Sequence, residues 1–97
     1  MATYISLIQY TEQGIQGIKG SPGRVDEGRK AFEQAGVKLK DIYLVMGEYD
    51  LVIIAEAPND ETIAKVSLGL AAKGNVRTRT MRAFTEDEFR KIVGSLP

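Results

Sequence analysis

Lys40-Asp41-Ile42-Tyr43-Leu44-Val45-Met46-Gly47-Glu48-Tyr49-Asp50-Leu51-Val52-Ile53-Ile54-Ala55-Glu56-Ala57 lies at the middle of the 97-residue chain and decides how the rest is read. Two β-prone runs, Lys40 to Met46 and Leu51 to Ala57, flank Gly47-Glu48-Tyr49-Asp50, whose residue types suit a tight hairpin connection. The second run is nearly continuous in apolar residues, so both of its faces need cover, one of them from helices. Outward on the C-terminal side, Pro58-Asn59-Asp60 closes that strand and caps a helix through Ile63, Val66 and Leu70, ended by Gly74. Val76 to Phe84 follows as another strand. On the N-terminal side, Ser21-Pro22 reads as an N-cap with proline at the first helical position. Val25, Gly28, Phe32 and Ala35 then recur at helical spacing until Gly36, predicting a helix over about residues 22–35. Ahead of it, Thr11 to Gly20 reads as a long connection with three glycines and two isoleucines, and Ala2 to Tyr10 as the first strand. At the far end Thr85-x-x-Glu88 forms a capping box before Phe89, Ile92, Val93 and Leu96, whose spacing marks an amphipathic helix. The order β-α-β-β-α-β-α predicts one α+β domain over residues 1–97. It is a ferredoxin-like βαββαβ unit with a four-stranded antiparallel sheet and an extra C-terminal helix.

Composition narrows the chemistry. Thirteen basic and thirteen acidic side chains cancel, so no overall field gathers nucleic acid or anionic membrane, and neither is expected as a partner. Cysteine and histidine are both absent, which removes disulfides, thiolate or imidazole metal sites and the usual catalytic triads for this chain acting alone. No metal or cofactor is expected. The start Met1-Ala2-Thr3-Tyr4-Ile5 lacks the pattern of a secretory signal, and no segment approaches the ~20 apolar residues of a membrane span, so a cytoplasmic location is expected.

A βαββαβ unit lays both helices on one side of its sheet and leaves the other side open. Along the first strand Tyr4, Ser6, Ile8 and Tyr10 alternate with Thr3, Ile5, Leu7 and Gln9, so whichever side faces away from the helices carries apolar area. A partner sheet or the terminal helix should cover it, and back-to-back packing of two sheets into a dimeric α-β barrel is the preferred solution.

Several short motifs, in order, resemble the GYD-domain family. They are Thr11-x-Gln13-Gly14, Lys19 with Ser21-Pro22, Gly47-Glu48-Tyr49-Asp50, and Gly74-Asn75-Val76-Arg77-Thr78 leading to Ala83-Phe84. The resemblance runs essentially end to end. It differs in having one residue between glycine and tyrosine, and it implies a ferredoxin-like relative of the dimeric α-β barrels. It implies no particular reaction.

Each candidate site has a plainer reading beside it. Tyr49 and Asp50 suit a turn, or they point a hydroxyl and a carboxylate into a cleft for a polar ligand group. Arg77 and Arg79 share one face of the last strand. They are edge-strand charges that discourage unwanted pairing, or together they bind a carboxylate or phosphate. The glycine-rich connection fits neither the P-loop nor the dinucleotide fingerprint, and is better read as a packing loop or a lid carrying Gln13, Ile15 and Ile18. Tyr4, Tyr10 and Tyr43 belong to a core or interface, or line a ligand pocket. Three function classes remain. A homo-oligomeric module that binds a small molecule or regulates comes first, a cofactor-independent enzyme of the dimeric barrel type second, and a structural assembly subunit third.

Overall fold

The computed structural model describes residues 1–97. Four strands, β1 (Ala2–Tyr10), β2 (Lys38–Leu44), β3 (Leu51–Ala57) and β4 (Val76–Ala83), form a single sheet in the order β2-β3-β1-β4, antiparallel at every pairing. Helices α2 (Ser21–Gln34) and α3 (Asp60–Ala72) pack on one side of it, and α4 (Glu86–Gly94) closes the chain. This is the ferredoxin-like βαββαβ arrangement with a terminal helix added. The core lies between the sheet and α2 and α3, built from Tyr4 and Ile8 of β1, Ile53, Ala55 and Ala57 of β3, Phe32 and Val37, Ile63 and Val76. Burial of each large apolar side chain there contributes about 1.5–3 kcal/mol.

Three elements depart from the sequence reading. The segment Thr11 to Gly20 is not an irregular loop. Thr11 caps a short helix, α1 (Glu12–Gln16), by accepting from the Gly14 N–H at 3.1 Å, and a 3-10 turn (Ile18–Gly20) runs on into α2. Tertiary contact overrides the helix-breaking glycines. The Thr11 N–H and hydroxyl donate to the carbonyls of Asn75 (3.0 Å) and Gly74 (2.6 Å), and a Cβ on Gly14 would stand 2.0 Å from the Asn75 oxygen. Only glycine allows that approach. Because the 3-10 turn leads directly into α2, Gly20 takes the N-cap position and Ser21 is freed, its hydroxyl pairing with that of Tyr10 at 2.6 Å.

Strand β2 begins and ends two residues earlier than its apolar run suggests, and its register against β3 shifts between Leu39 and Asp41. The bulge keeps both Leu39 and Ile42 packed against the core. In consequence the connection to β3 is not a tight turn but a loop from Val45 to Asp50, closed by the Val45 N–H on the Asp50 carbonyl at 2.8 Å.

The terminal helix has the expected capping box, with Thr85 and Glu88 each bonded to the other's backbone N–H. It does not cover the sheet. Phe89, Ile92, Val93 and Leu96 all stay exposed, Leu96 by 66%. The molecule is correspondingly elongated, 52 × 31 × 18 Å. No helix is long and apolar enough to cross a membrane.

Candidate functional site

The side of the sheet away from the helices is a continuous, uncovered face, and strand register sets its rows. Residues directly opposite each other across a ladder share a face. One row therefore runs Asp41, Ile54, Ile5, Met81, and the next Tyr43, Val52, Leu7, Arg79. Beyond the first lie Glu56, Thr3 and Ala83, and beyond the second Gln9 with Arg77. The centre is aliphatic, with Ile5, Leu7, Val52 and Ile54 half-buried, while Tyr43 and Met81 on the flanking strands are about half exposed. Charge is placed at the edges. Arg77 and Arg79 lie along β4, and Asp41 along β2, where Lys40 is 3.7 Å from Glu56. Arg77 and Arg79 thus share the open face with Met81 at the edge strand, as their spacing predicts.

At the C-terminal end of β1 the structure gathers several of the sequence candidates. The Asp50 N–H donates to the Ile8 carbonyl at 2.9 Å, and its carboxylate accepts the Tyr10 N–H at 2.9 Å. Asp50 is in effect one more rung between β3 and β1, supplied half by backbone and half by side chain. Gln9 donates to the Glu48 carbonyl at 2.8 Å, tying down the same loop, and Gly47 turns it with φ +114°, a conformation that favours glycine. Tyr49 is half-buried within the loop. Gln13 reaches across from α1 to the Lys73 carbonyl and the Asn75 amide oxygen, both at 3.1 Å.

Tyr4 sits about 20 Å from Tyr10, six residues along the strand, and on the helix side of the sheet. Its hydroxyl donates to the Asp60 carboxylate, and this bond pushes the Tyr4 pKa above its ordinary value. The Arg82 guanidinium lies 5.7 Å from the Tyr4 ring and 4.5 Å from that of Phe84, and 3.8 Å from the Glu88 carboxylate. Glu88 is held below the usual carboxylate range, chiefly by the Thr85 N–H. These groups fasten the start of α4 to the body. Asp60, Arg82 and Glu88 were not singled out as site residues from sequence, though a carboxylate in a helix first turn and an arginine beside an aromatic residue were legible there. Tyr49, Asp50, Tyr10, Gln13 and Arg77 therefore collect at one end of the sheet, Arg79 lies on its open face, and Tyr4 is remote. No group of three or more acidic side chains converges to hold a metal ion.

A family model described as GYD domain matches residues 4–93. A Thermus thermophilus protein named "Glutamine synthetase and cystathionine beta-lyase binding protein" is 36% identical over 84 residues, 86% of this chain and 88% of its own length. A crystal structure from Thermus thermophilus superposes with TM-score 0.56 at 26% identity, covering 88% of this chain and 95% of the other. The leucine response regulatory protein of Mycobacterium tuberculosis shares the fold at 17% identity and TM-score 0.57, over 87% of this chain and 51% of that one.

Proposed function

Since this chain belongs to the GYD-domain family, we propose that it is a homo-oligomeric regulatory module that binds other proteins, enzymes among them. The observation that carries this reading is the pair of uncovered apolar surfaces, the open sheet face and the stripe on α4. Monomeric proteins rarely leave such area in water. With strands about 4.8 Å apart, the face measures roughly 20 by 20 Å, about half of one partner's share of a standard interface.

The sheet face suits a second copy. Sheets pack face to face about 10 Å apart, with their inner side chains interdigitated. A two-fold axis along the strands lays the β4 edge of one copy over the β2 edge of the other. Arg79 then approaches the Tyr43 ring, one row along from Asp41, a pairing that needs no second kind of chain. Arg79 and Arg77 would also border a seam that holds a small anionic ligand between subunits, with Asp50, Tyr49 and Gln13 at the same end of the sheet, whereas Tyr4 and Tyr10 face the helix side. The α4 stripe suits a protein partner, since an amphipathic helix with Phe89, Ile92, Val93 and Leu96 on one side is the form that enters an apolar groove. The name of the Thermus thermophilus relative supports an enzyme as that partner.

Native mass spectrometry of the purified chain tests the first half. A dimer or larger assembly that Val52→Asp converts to a folded monomer is expected, and a monomer at micromolar concentration would sink it. Titration with purified glutamine synthetase and cystathionine β-lyase tests the second. Binding that Phe89→Glu abolishes while the assembly persists is expected, and no binding to either enzyme removes that class of partner.

A further inference from the structure

Beneath α2, on the helix side of the sheet, lies a cavity of about 100 Å³. A single water needs only ~10–15 Å³ of such space, so this is room for a small ligand. Its floor is apolar, from Ile8, Ile53 and Leu39 of the strands, and α2 roofs it loosely. The sheet-facing positions of α2 are Ser21, Val25, Gly28 and Phe32. A Cβ built on Gly28 would meet nothing within 4 Å. Glycine inside a helix costs about 1 kcal/mol relative to alanine, and here neither backbone conformation nor crowding requires it. What it preserves is the space.

The charged groups around this space are mostly cationic. Arg24, Arg29 and Lys73 stand along it with Glu27 as the only acidic side chain, and none of the four is in a salt bridge. Arg24 donates to the Gly17 carbonyl at 2.8 Å, which orients it without neutralising it. On the wall, the buried Ser21 hydroxyl and that of Tyr10 are 2.6 Å apart. Two hydroxyls bonded to each other use one of their two protons, so the second remains to donate to an acceptor. An apolar chamber with a spare hydroxyl donor and an excess of unpaired cations matches a ligand with a compact hydrocarbon end and an anionic end.

We propose that the cavity under α2 is a binding site for a small monocarboxylate with a short branched apolar tail, lodged over Gly28 with its carboxylate toward the Ser21 and Tyr10 hydroxyls and Lys73. The site lies within one subunit and holds whether or not the chain self-associates. Isovalerate and its uncharged amide, isovaleramide, are the probes, titrated into the intact protein while backbone amide shifts are followed by heteronuclear NMR. Saturable shifts centred on Tyr10, Ser21, Gly28 and Val76 are expected with isovalerate, and binding of isovaleramide roughly tenfold weaker or more, the scale of a charge-assisted hydrogen bond. Gly28→Leu should fill the chamber, keep the helix and abolish the shifts. Lys73→Glu, at an exposed position that leaves the fold intact, should weaken isovalerate and leave isovaleramide unchanged. Equal binding of acid and amide, unaltered binding in folded Gly28→Leu, shifts confined to the open sheet face, or no saturable shift at all would each overturn the proposal.

Discussion

Strand β1 presents the same kind of residue to two different environments. Tyr4 and Ile8 point toward α2 and α3 and are 3% and 2% exposed, whereas Ile5 and Leu7, their immediate neighbours, point to the open face and are only half-buried. One side of the sheet is finished within the chain and the other is not. Fold stability is therefore concentrated in the helix-side layer, and the opposite layer is free to serve association, although a single strand feeds both.

The sharpest way to break that comparison is to truncate adjacent residues. Ile8→Ala should destabilise the monomer by about 2–5 kcal/mol in urea unfolding, because a buried cavity is left behind. Leu7→Ala at protein concentrations too low for assembly should cost less than half as much. Equal losses would mean that the open face is already packed in the monomer.

Next in size is Asp50, which joins the loop to β1. Asp50→Ala leaves the Tyr10 N–H without its acceptor and should cost about 1–3 kcal/mol, while Asp50→Asn keeps an acceptor and should recover most of it. A neutral Asp50→Ala in the same unfolding assay would reduce the residue to a turn former.

Two contacts, Tyr4 of β1 on Asp60 of α3 and Glu88 in the cap of α4, titrate in opposite directions. Tyr4 has a folded-state pKa above its unfolded value of about 10, so the stability from its bond to Asp60 is complete below pH ~10 and is lost as the pH rises through the folded value. Thermal melts should fall more steeply above pH ~10 in the parent chain than in Tyr4→Phe. Glu88 has a folded pKa below its unfolded value of about 4.3, so its contribution is present above pH ~4.3 and fades as the pH falls through the folded value. The smallest effect is expected from Thr85→Ala. Loss of the cap should cost about 0.5–2 kcal/mol and fray α4 in far-ultraviolet circular dichroism without moving the unfolding midpoint of the body.

The sheet, its order and the helices on it were legible because alternation in β1, the apolar run of β3 and the capping signals at Asn59 and Thr85 are local and agree with one another. The short helix α1 was not, because its cause lies sixty residues away, in the carbonyls of Gly74 and Asn75 that receive Thr11 and crowd Gly14. The bulge in β2 escaped for the same kind of reason, since Leu39 and Ile42 satisfy the core only through a register shift that depends on β3. Among the site candidates, pattern located Arg77 and Arg79 on their face. The rung made by Asp50 and the remoteness of Tyr4 depend on how strand ends meet.

The two borders of the sheet bear on how copies would join under the proposed assembly. Edge-to-edge pairing adds a strand and exposes another edge, so it grows without end, whereas two faces joined about a two-fold axis leave no face over. Here β4 carries a guanidinium at Arg77, Arg79 and Arg82, and β2 is broken by its bulge beside Lys38 and Lys40, so neither border offers a flat, neutral ribbon. Under the proposed face-to-face pairing, growth ends with the second copy, because the surface that attracts another copy is consumed by the first one to arrive.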